Sequence, residues 1–338
     1  MILVLNCGSQ SIKYKVFEDD LSLVKEKKVE VKSQKDYPKI LKKELNNCQS
    51  YQKEINLVGH RVVHGGEKFR QPLIVNSKIL KELKQFNNLA PLHNPFNLLG
   101  VEQALAFFPR AKQIVVFDTA FFSSLPNKAV ICPLSEALRK KYGFRKYGFH
   151  GISHEYAAQT AAKLIGKPWE RLKIITCHLG GGASITAIKN GHAIDTSMGF
   201  TPLAGLLMMT RPGDIDPGII TKLCQDLSTK EVERILNKES GLKGICGFSD
   251  MRQVLSGVKA GNKKCRLALE VFVYQIQKYI GAYNTILGGC DALVFTGAIG
   301  TGSEKIRKLI LKGLNTQRVL AVEANEELAI AQKIRKYV

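Results

Sequence analysis

Twice in this chain an apolar strand runs into a short polar or glycine-rich turn and returns, and that repeated hairpin limits the fold more than any other feature. In the first copy Met1 to Leu5 is apolar, Asn6-Cys7-Gly8-Ser9-Gln10-Ser11 is the turn, and Ile12 to Phe17 alternates as the returning strand with Lys13 near its start. In the second, Lys173 to Cys177 is the strand and Gly180, Gly181 and Gly182 make the turn, followed at a distance by Arg211 in a Pro/Gly-rich loop. Consecutive glycines let backbone N–H groups face an anion where a Cβ would obstruct them, and His178 and Ser184 add side-chain donors. Taken alone, the glycines also suit an ordinary hairpin. Two phosphate-type hairpins in one chain predict a duplicated domain.

The length of 338 residues exceeds what one compact core usually serves, so two domains are expected. The start MILVLNCGSQS has no basic n-region and its apolar run ends after five residues, which predicts neither a signal peptide nor a membrane span and places the protein in the cytoplasm. Eight cysteines occur without a CxxC pair, and Cys7, Cys177, Cys246 and Cys290 sit in apolar or glycine-rich segments. Buried free thiols in a reducing compartment are expected, not a zinc ribbon or a disulfide scaffold. The net charge of +21 comes from lysines scattered over Lys25 to Lys43, Lys259 to Arg266 and Lys305 to Lys312. No stripe interleaves basic with aromatic residues, so steering of small anionic substrates is favoured over nucleic-acid binding.

Along the chain, Leu21 to Val31 suggests a strand pair, and Tyr37 to Cys48 a helix with Ile40, Leu41 and Leu45 inward. Leu57 to Gly59 enters a turn over residues 60–67; Ser77 caps a helix to Phe86, and Asn97 one from Leu98 to Phe107. Gln113 to Phe117 reads as a buried parallel strand ending at Asp118, where an acidic side chain faces a ligand crevice. Glu155 to Leu164 is an alanine-rich helix closed by Gly166, and Asp216-Pro217 opens another. Helices follow around Lys230 to Leu236 and over Lys264 to Leu287. Strand Ala292 to Thr296 feeds a loop over 297–303 and a helix Glu304 to Leu311. Strand Arg318 to Val322 and helix Glu326 to Lys336 close the chain.

The segments NCGSQSIK, GHRVVHGGE, APLHNP, VFDTAF, YGFHGISH, TCHLGGGAS, DTSMGFTPLAG, TRPGDIDPG, SGLKGICGFSDMR, FTGAIG and NEELAIA, in this order, resemble the acetate kinase family along most of the chain. The resemblance implies an α/β fold of two duplicated ribonuclease-H-like domains around a nucleotide cleft, as in sugar kinases, Hsp70 and actin. It assigns 1–119 plus 325–338 to the N-terminal domain and 120–324 to the nucleotide-binding one. It also implies a homodimer that transfers phosphate reversibly between ATP/ADP and acetate/acetyl phosphate with Mg2+, or Mn2+ in its place. Asn6, Ser9, Ser11 and Lys13 match the first phosphate loop. His178, Gly180 and Gly182 match the second, with Gly181 between them, and Gly297, Ala298, Ile299 and Gly300 match the adenosine-side loop. Arg61, His150 and Arg211 match the residues around the transferred phosphoryl group. Asp118 and Glu326, with Asn6, match the magnesium site, and Val63, Leu92, Phe149 and Pro202 the pocket for the acetate methyl.

The residue types suit that chemistry. A phosphoryl group in flight spreads charge over its equatorial oxygens, so catalysis is positioning and electrostatics. A guanidinium fork meets carboxylate and phosphate bidentately where lysine is a point charge, and His150 is a further donor. Acetate is an anionic nucleophile at neutral pH, so no general base and no phosphoenzyme are expected. An apolar pocket discriminates one methylene by only about 1–3 kcal/mol, which leaves propionate as a poorer second substrate. His60, His64 and His154 are expected as hydrogen-bonded scaffold, His93 as either scaffold or site, Asp214 and Asp216 as turn and N-cap residues, and Asp195 as structural. Glu326 lies in a first helical turn, where the dipole favours a carboxylate in any case.

Several positions depart from the family pattern. Gln10 replaces a serine, Gly181 an asparagine, Ile152 a threonine and Met209 a glycine, and GAIGTGS stands for AGIGENS, with Ala298 at a glycine position. The altered adenosine loop keeps open another donor, pyrophosphate or GTP, on the same fold and acceptor; a propionate kinase is the other alternative. Arg61, Arg211, His150 and the apolar pocket argue against a binding protein of the Hsp70 or actin kind. The chain is also shorter than the family norm, with the trimmed hairpins placed between Lys13 and Arg61 and between Leu314 and Arg318.

Overall fold

Six consecutive buried residues make β1 (Ile2–Cys7) a central strand, because only a strand covered on both faces hides every side chain. The computed structural model describes residues 1–314 and 318–337. The chain forms two units, Met1–Ser123 with Asn325–Val338, and Ser124–Ala324.

In the first unit β1 pairs antiparallel with β2 (Ser11–Phe17), and β2 with the edge strand β3 (Leu23–Glu30). On its other side β1 runs parallel to β4 (Leu57–Val62), and β4 parallel to β6 (Lys112–Phe117), with β5 (Leu73–Ile74) antiparallel at the far edge. Leu21 to Val31 is one strand and not a pair. The reversal is a turn closed by hydrogen bonds between Glu18 and Ser22 and between Leu21 and Glu18, with Leu21 at φ 75°. Lysines 25, 27 and 28 then line the edge, a common guard against strand addition. Helices α1 (Tyr37–Asn46), α2 (Ser77–Lys84) and α3 (Asn94–Phe107) follow. Leu41 and Leu45 of α1 pack with Leu3, Leu5, Ile12 and Tyr14 in one core, and Ile40 is partly buried against it.

Three boundaries differ from the sequence expectation. β4 continues through Val62, so His60 and Arg61 are strand residues. Asn76, not Ser77, caps α2, its side-chain oxygen accepting from Ile79 N. α3 starts at Asn94 with Pro95 in its first turn, which leaves Asn97 inside the helix and free for the tertiary contacts below.

The second unit opens with α4 (Asn127–Val130), α5 (Glu136–Tyr142) and α6 (Gly151–Ile165). Its sheet is β7 (Lys173–Leu179), β8 (Ala183–Lys189) and β9 (His192–Thr196) in antiparallel succession, then β10 (Ala292–Thr296) and β11 (Val319–Ala321) added parallel beyond β7. The orders β3-β2-β1-β4-β6 and β9-β8-β7-β10-β11 are the same connectivity, so the duplicated domain is plain in the topology. Between β9 and β10 lie α7 (Pro217–Asp226), α8 (Thr229–Lys238), α9 (Gly241–Cys246), α10 (Met251–Lys259) and α11 (Lys263–Leu287). α12 (Gly297–Gly302) and α13 (Glu304–Leu311) precede β11, and α14 (Glu326–Ile334) belongs to the first unit.

The stretch 297–303, expected as a loop, is mostly helix α12. A single residue makes the turn from strand to helix: Gly297 has φ +79°, and a Cβ there would lie 2.6 Å from Leu179 O. Arg307 Nη1 then closes the helix on the carbonyls of Gly300 (2.8 Å) and Thr301 (2.6 Å). Helices α4, α5, α9 and α10 go beyond the sequence expectation, although α5 carries a Ser135 cap and a Gly143 stop at φ 66°. Cys7 and Cys177 are buried as expected, whereas Cys246 and Cys290 are half-buried. The shortening expected between Leu314 and Arg318 falls at 315–317, outside the described residues. Among the described residues no helix is long and apolar enough to cross a membrane.

Gly59 in the middle of β4 marks a close approach of α14: a Cβ would meet Ile330 Cγ2 and Ile334 Cδ1, each at 2.7 Å. Gly59→Val should therefore lower unfolding free energy by about 1–3 kcal/mol through overpacking, read as an earlier denaturant midpoint.

Candidate active site

Strands β1, β4 and β6 run parallel, so their carboxyl ends meet at one edge of the sheet and deliver Asn6, Arg61 and Asp118 there. Arg61 has a side chain 20% exposed. Its Nε and Nη2 donate to Asp118 Oδ2 at 3.0 and 2.5 Å. Its Nη1 reaches Glu326 Oε2 at 3.3 Å and Asn6 Oδ1 at 3.4 Å. Asn6 Nδ2 donates to Glu326 Oε2 (3.2 Å) and to the buried Glu327 Oε1 (2.9 Å). The amide orientation follows, since a guanidinium only donates and a carboxylate accepts. Both glutamates sit in the first turn of α14, capped by Asn325, whose Oδ1 accepts from Leu328 N and from Lys15 Nζ, each at 3.2 Å. Burial pulls the Arg61 pKa down, but the carboxylates of Asp118 and then Glu326 more than reverse this and hold it above its ordinary value.

One guanidinium thus meets two carboxylates directly, and a third, Glu327, lies behind Asn6. An all-oxygen set with that charge suits Mg2+, which takes one or two carboxylates and completes its shell with waters or substrate phosphate. Among the described residues no three His, Cys, Asp or Glu side chains close into a metal cage.

In the second unit His150 precedes α6 with φ 59°, a left-handed conformation uncommon outside glycine. Its Nδ1 lies 2.8 Å from Ser184 Oγ, and its ring stacks on His178 with centroids 4.4 Å apart. Ser153 Oγ holds His178 Nδ1 at 2.8 Å. The buried His154 sits between Thr176 Oγ1 and Ser184 Oγ, each at 2.7 Å, and burial followed by His178 pushes its pKa well below the ordinary value. It is a neutral hydrogen-bonded scaffold residue.

Arg211 differs from Arg61. Its Nη1 donates to Pro202 O at 2.7 Å, and among the described residues it pairs with no carboxylate. Burial lowers its pKa to about 10, so it stays charged at neutral pH. A Cβ on Gly182 would lie 2.7 Å from Arg211 Nη2 and 3.1 Å from His150 Cε1. The glycine turn, Arg211 and His150 are therefore one cluster, in which Gly182 is needed for room. Gly180, Gly181 and Gly182 have no left-handed φ, a Cβ on Gly181 meets nothing within 4 Å, and one on Gly180 would lie 4.0 Å from Ala298 N.

The other expected positions are distributed as follows. Ser9 and Ser11 are half-buried in the first turn, closed by Gly8 N to Ser11 O at 2.9 Å, and Lys13 is half-buried on β2. Val63 and Phe149 are buried, Pro202 is half-buried, and Leu92 is 46% exposed. Val63 and Leu92 belong to the first unit, Phe149 and Pro202 to the second. In α12 Gly297 and Gly300 are buried, Ile299 half-buried and Ala298 exposed. Asp216 caps α7, Asp214 accepts from Gly205 N and Tyr279 OH, and Asp195 pairs with Lys146 at 2.6 Å.

Comparison with known proteins sets the family, because residues 23–336 match the Acetokinase family. The chain belongs to that family. It is 47% identical to the acetate kinase of Dictyoglomus thermophilum over 345 positions, covering 93% of this chain and 86% of the relative. An alignment of 345 positions takes in only that share of 338 residues, so the relative carries internal segments absent here. The crystal structure of Porphyromonas gingivalis acetate kinase superposes with a TM-score of 0.89 at 34% identity, covering 98% of each chain. That of a propionate kinase from Francisella tularensis does so with a TM-score of 0.89 at 36% identity and the same coverage. The acetokinase described here has the duplicated actin-like fold of these kinases and is a phosphotransferase with a carboxyl group as acceptor.

The sequence reading missed Glu327, Lys15, Asn94 and Asn97. An N-cap followed by two glutamates signals Glu327, but its bond to Asn6 spans 321 residues.

His60 and His64 are buried, His60 Nε2 on Gln113 Oε1 at 2.9 Å and His64 Nδ1 accepting from Gly66 N at 2.9 Å. Burial lowers both pKa values from 6.5 to about 4. A depressed histidine favours the folded state fully above the unfolded value and loses that as pH falls toward the folded one. The acetokinase should therefore lose stability between pH 6.5 and 4, on the order of 3 kcal/mol per histidine, measured as denaturant midpoints across that range.

Proposed function

We propose that this chain catalyses reversible, magnesium-dependent, direct in-line phosphoryl transfer between ATP and acetate, giving ADP and acetyl phosphate. The observation that carries this is Arg211, a largely buried guanidinium beside a glycine turn and His150, with no carboxylate of its own among the described residues. A cation kept unpaired in this way suits a phosphoryl group whose charge grows toward transfer.

Arg61 binds the acetate carboxylate and aims it, while Asp118 and Glu326 fix the guanidinium by accepting from it. Bound at Asp118, Glu326 and Asn6, magnesium would supply charge neutralisation on the phosphate oxygens. In the second unit His178 and the turn Gly180 to Gly182 hold phosphate of the nucleotide, and Ser9, Ser11 and Lys13 form the phosphate loop of the first unit. Gly297, Ala298, Ile299 and Gly300 take the adenosine side. His150 donates a hydrogen bond to the group in transfer, its Nδ1 held by Ser184. The nucleophile is the acetate itself, so the protein supplies no general base.

By family membership, Val63 and Leu92 of the first unit, and Phe149 and Pro202 of the second, are assigned to recognition of the acyl group. Similarity to a propionate kinase favours a second acyl substrate, and acetate should exceed propionate in kcat/KM by roughly 10- to 200-fold, as one methylene allows. A ratio below one makes the chain a propionate kinase. We place the protein in the cytoplasm as a homodimer, with small molecules and neither nucleic acid nor membrane as partners, on the scattered lysines and the family membership.

ATP formation from acetyl phosphate and ADP under magnesium tests the function, with GDP or orthophosphate in place of ADP to identify another donor pair. Arg211→Ala should lower kcat by roughly 10³-fold or more, and Arg211→Lys should not restore it. Full activity in either variant would remove Arg211 from the mechanism.

A further inference from the structure

The ladder between β1 and β4 stops early. Its register runs Ile2↔Leu57, Leu3↔Val58, Val4↔Gly59 and Leu5↔His60, one residue short of Asn6 and Arg61. On its other side β4 stays paired with β6 to Val62↔Phe117, and Asp118 N still donates to Val62 O at 3.0 Å. The interruption is therefore confined to the gap between the ends that carry Asn6 and Arg61.

A side chain fills that gap. Asn97 Nδ2 donates to Cys7 O at 2.6 Å, and Val63 N donates to Asn97 Oδ1 at 3.1 Å. The two ladder groups left over where β1 and β4 part are thus satisfied by one amide, 3% exposed, projecting from α3. Paired strands lie about 4.8 Å apart, and an inserted amide lets the ends diverge without stranding buried backbone groups. One helical turn earlier, Asn94 Oδ1 accepts from His64 N (3.0 Å) and its Nδ2 donates to His64 O (2.9 Å). Residues three apart share a helix face, so α3 grips both residues 63 and 64.

We propose that Asn97 is a positioning residue for phosphoryl transfer, its amide fixing the ends of β1 and β4 at the separation that sets the aim of Arg61 relative to Asn6. Arg61 Nη1 and Asn6 Oδ1 stand 3.4 Å apart across that junction. A shift of either end changes which oxygen the guanidinium faces. Asn94 supports it by holding the next residue. The assignment rests on the role of Arg61 given above.

The test compares Asn97→Ala and Asn97→Asp with the wild-type full chain, after circular dichroism and melting show that each is folded. Asn97→Asp keeps the acceptor for Val63 N and loses the donor to Cys7 O. Both should lower kcat by about 10- to 100-fold, as misplacement near 1 Å does, with the KM for ADP within about twofold of wild type. In an Arg61→Ala background Asn97→Ala should cost under about threefold more, because the two act as a unit. An equal cost in both backgrounds, or unchanged kcat in a folded variant, overturns the proposal.

A wild type that turns over no acyl phosphate overturns the functional reading alone. The positioning role is then decided by thermal stabilisation with orthophosphate, which Arg61→Ala and Asn97→Ala must both reduce. An Asn97→Ala chain stabilised as fully as wild type, or a wild type not stabilised at all, overturns it.

Discussion

The contact on which the chemistry proposed for the first unit depends is the grip of Asp118 on Arg61. Two nitrogens of one guanidinium meet a single carboxylate oxygen, and the third turns to Glu326 and Asn6. These groups come from three neighbouring strand ends and from the last helix of the chain, so the fold must close from both termini before the site exists. Charge-assisted bonds to a largely buried guanidinium are strong and directional, and they leave Arg61 charged at any pH at which the protein is folded.

The second unit uses the same sheet plan for a different electrostatic purpose. There the arginine lies against Gly182 of the glycine turn and donates to the Pro202 carbonyl, and among the described residues it pairs with no carboxylate. One arginine is neutralised in place and the other is held in reserve. The two sheets share a five-strand order while the charges around their arginines differ.

Much of this was legible in the sequence because the signals are local. Strand, turn and returning strand fall within seventeen residues at the N-terminus, and the family motifs mark Arg61, Asp118, His150 and Arg211 individually. What escaped was long-range or had two local explanations. Asn97 looks like a helix cap beside Pro95, yet its partners Cys7 and Val63 lie 90 and 34 residues away. Glu327 looks like an acid favoured by a helix dipole, but it is buried against Asn6. Residues 297–303 look like a loop because glycine is taken as a breaker, whereas Gly297 alone makes the turn and the chain is helical through Gly302.

The central claim is that positioned charge transfers the phosphoryl group with no protein nucleophile, although His150 and His178 stand stacked beside the glycine turn. The most direct measurement is the stereochemical course of transfer from ATP whose γ-phosphoryl group is made chiral with oxygen isotopes. A single in-line displacement predicts inversion at phosphorus in the acetyl phosphate. Retention would contradict the account, because it requires two displacements through a phosphorylated side chain.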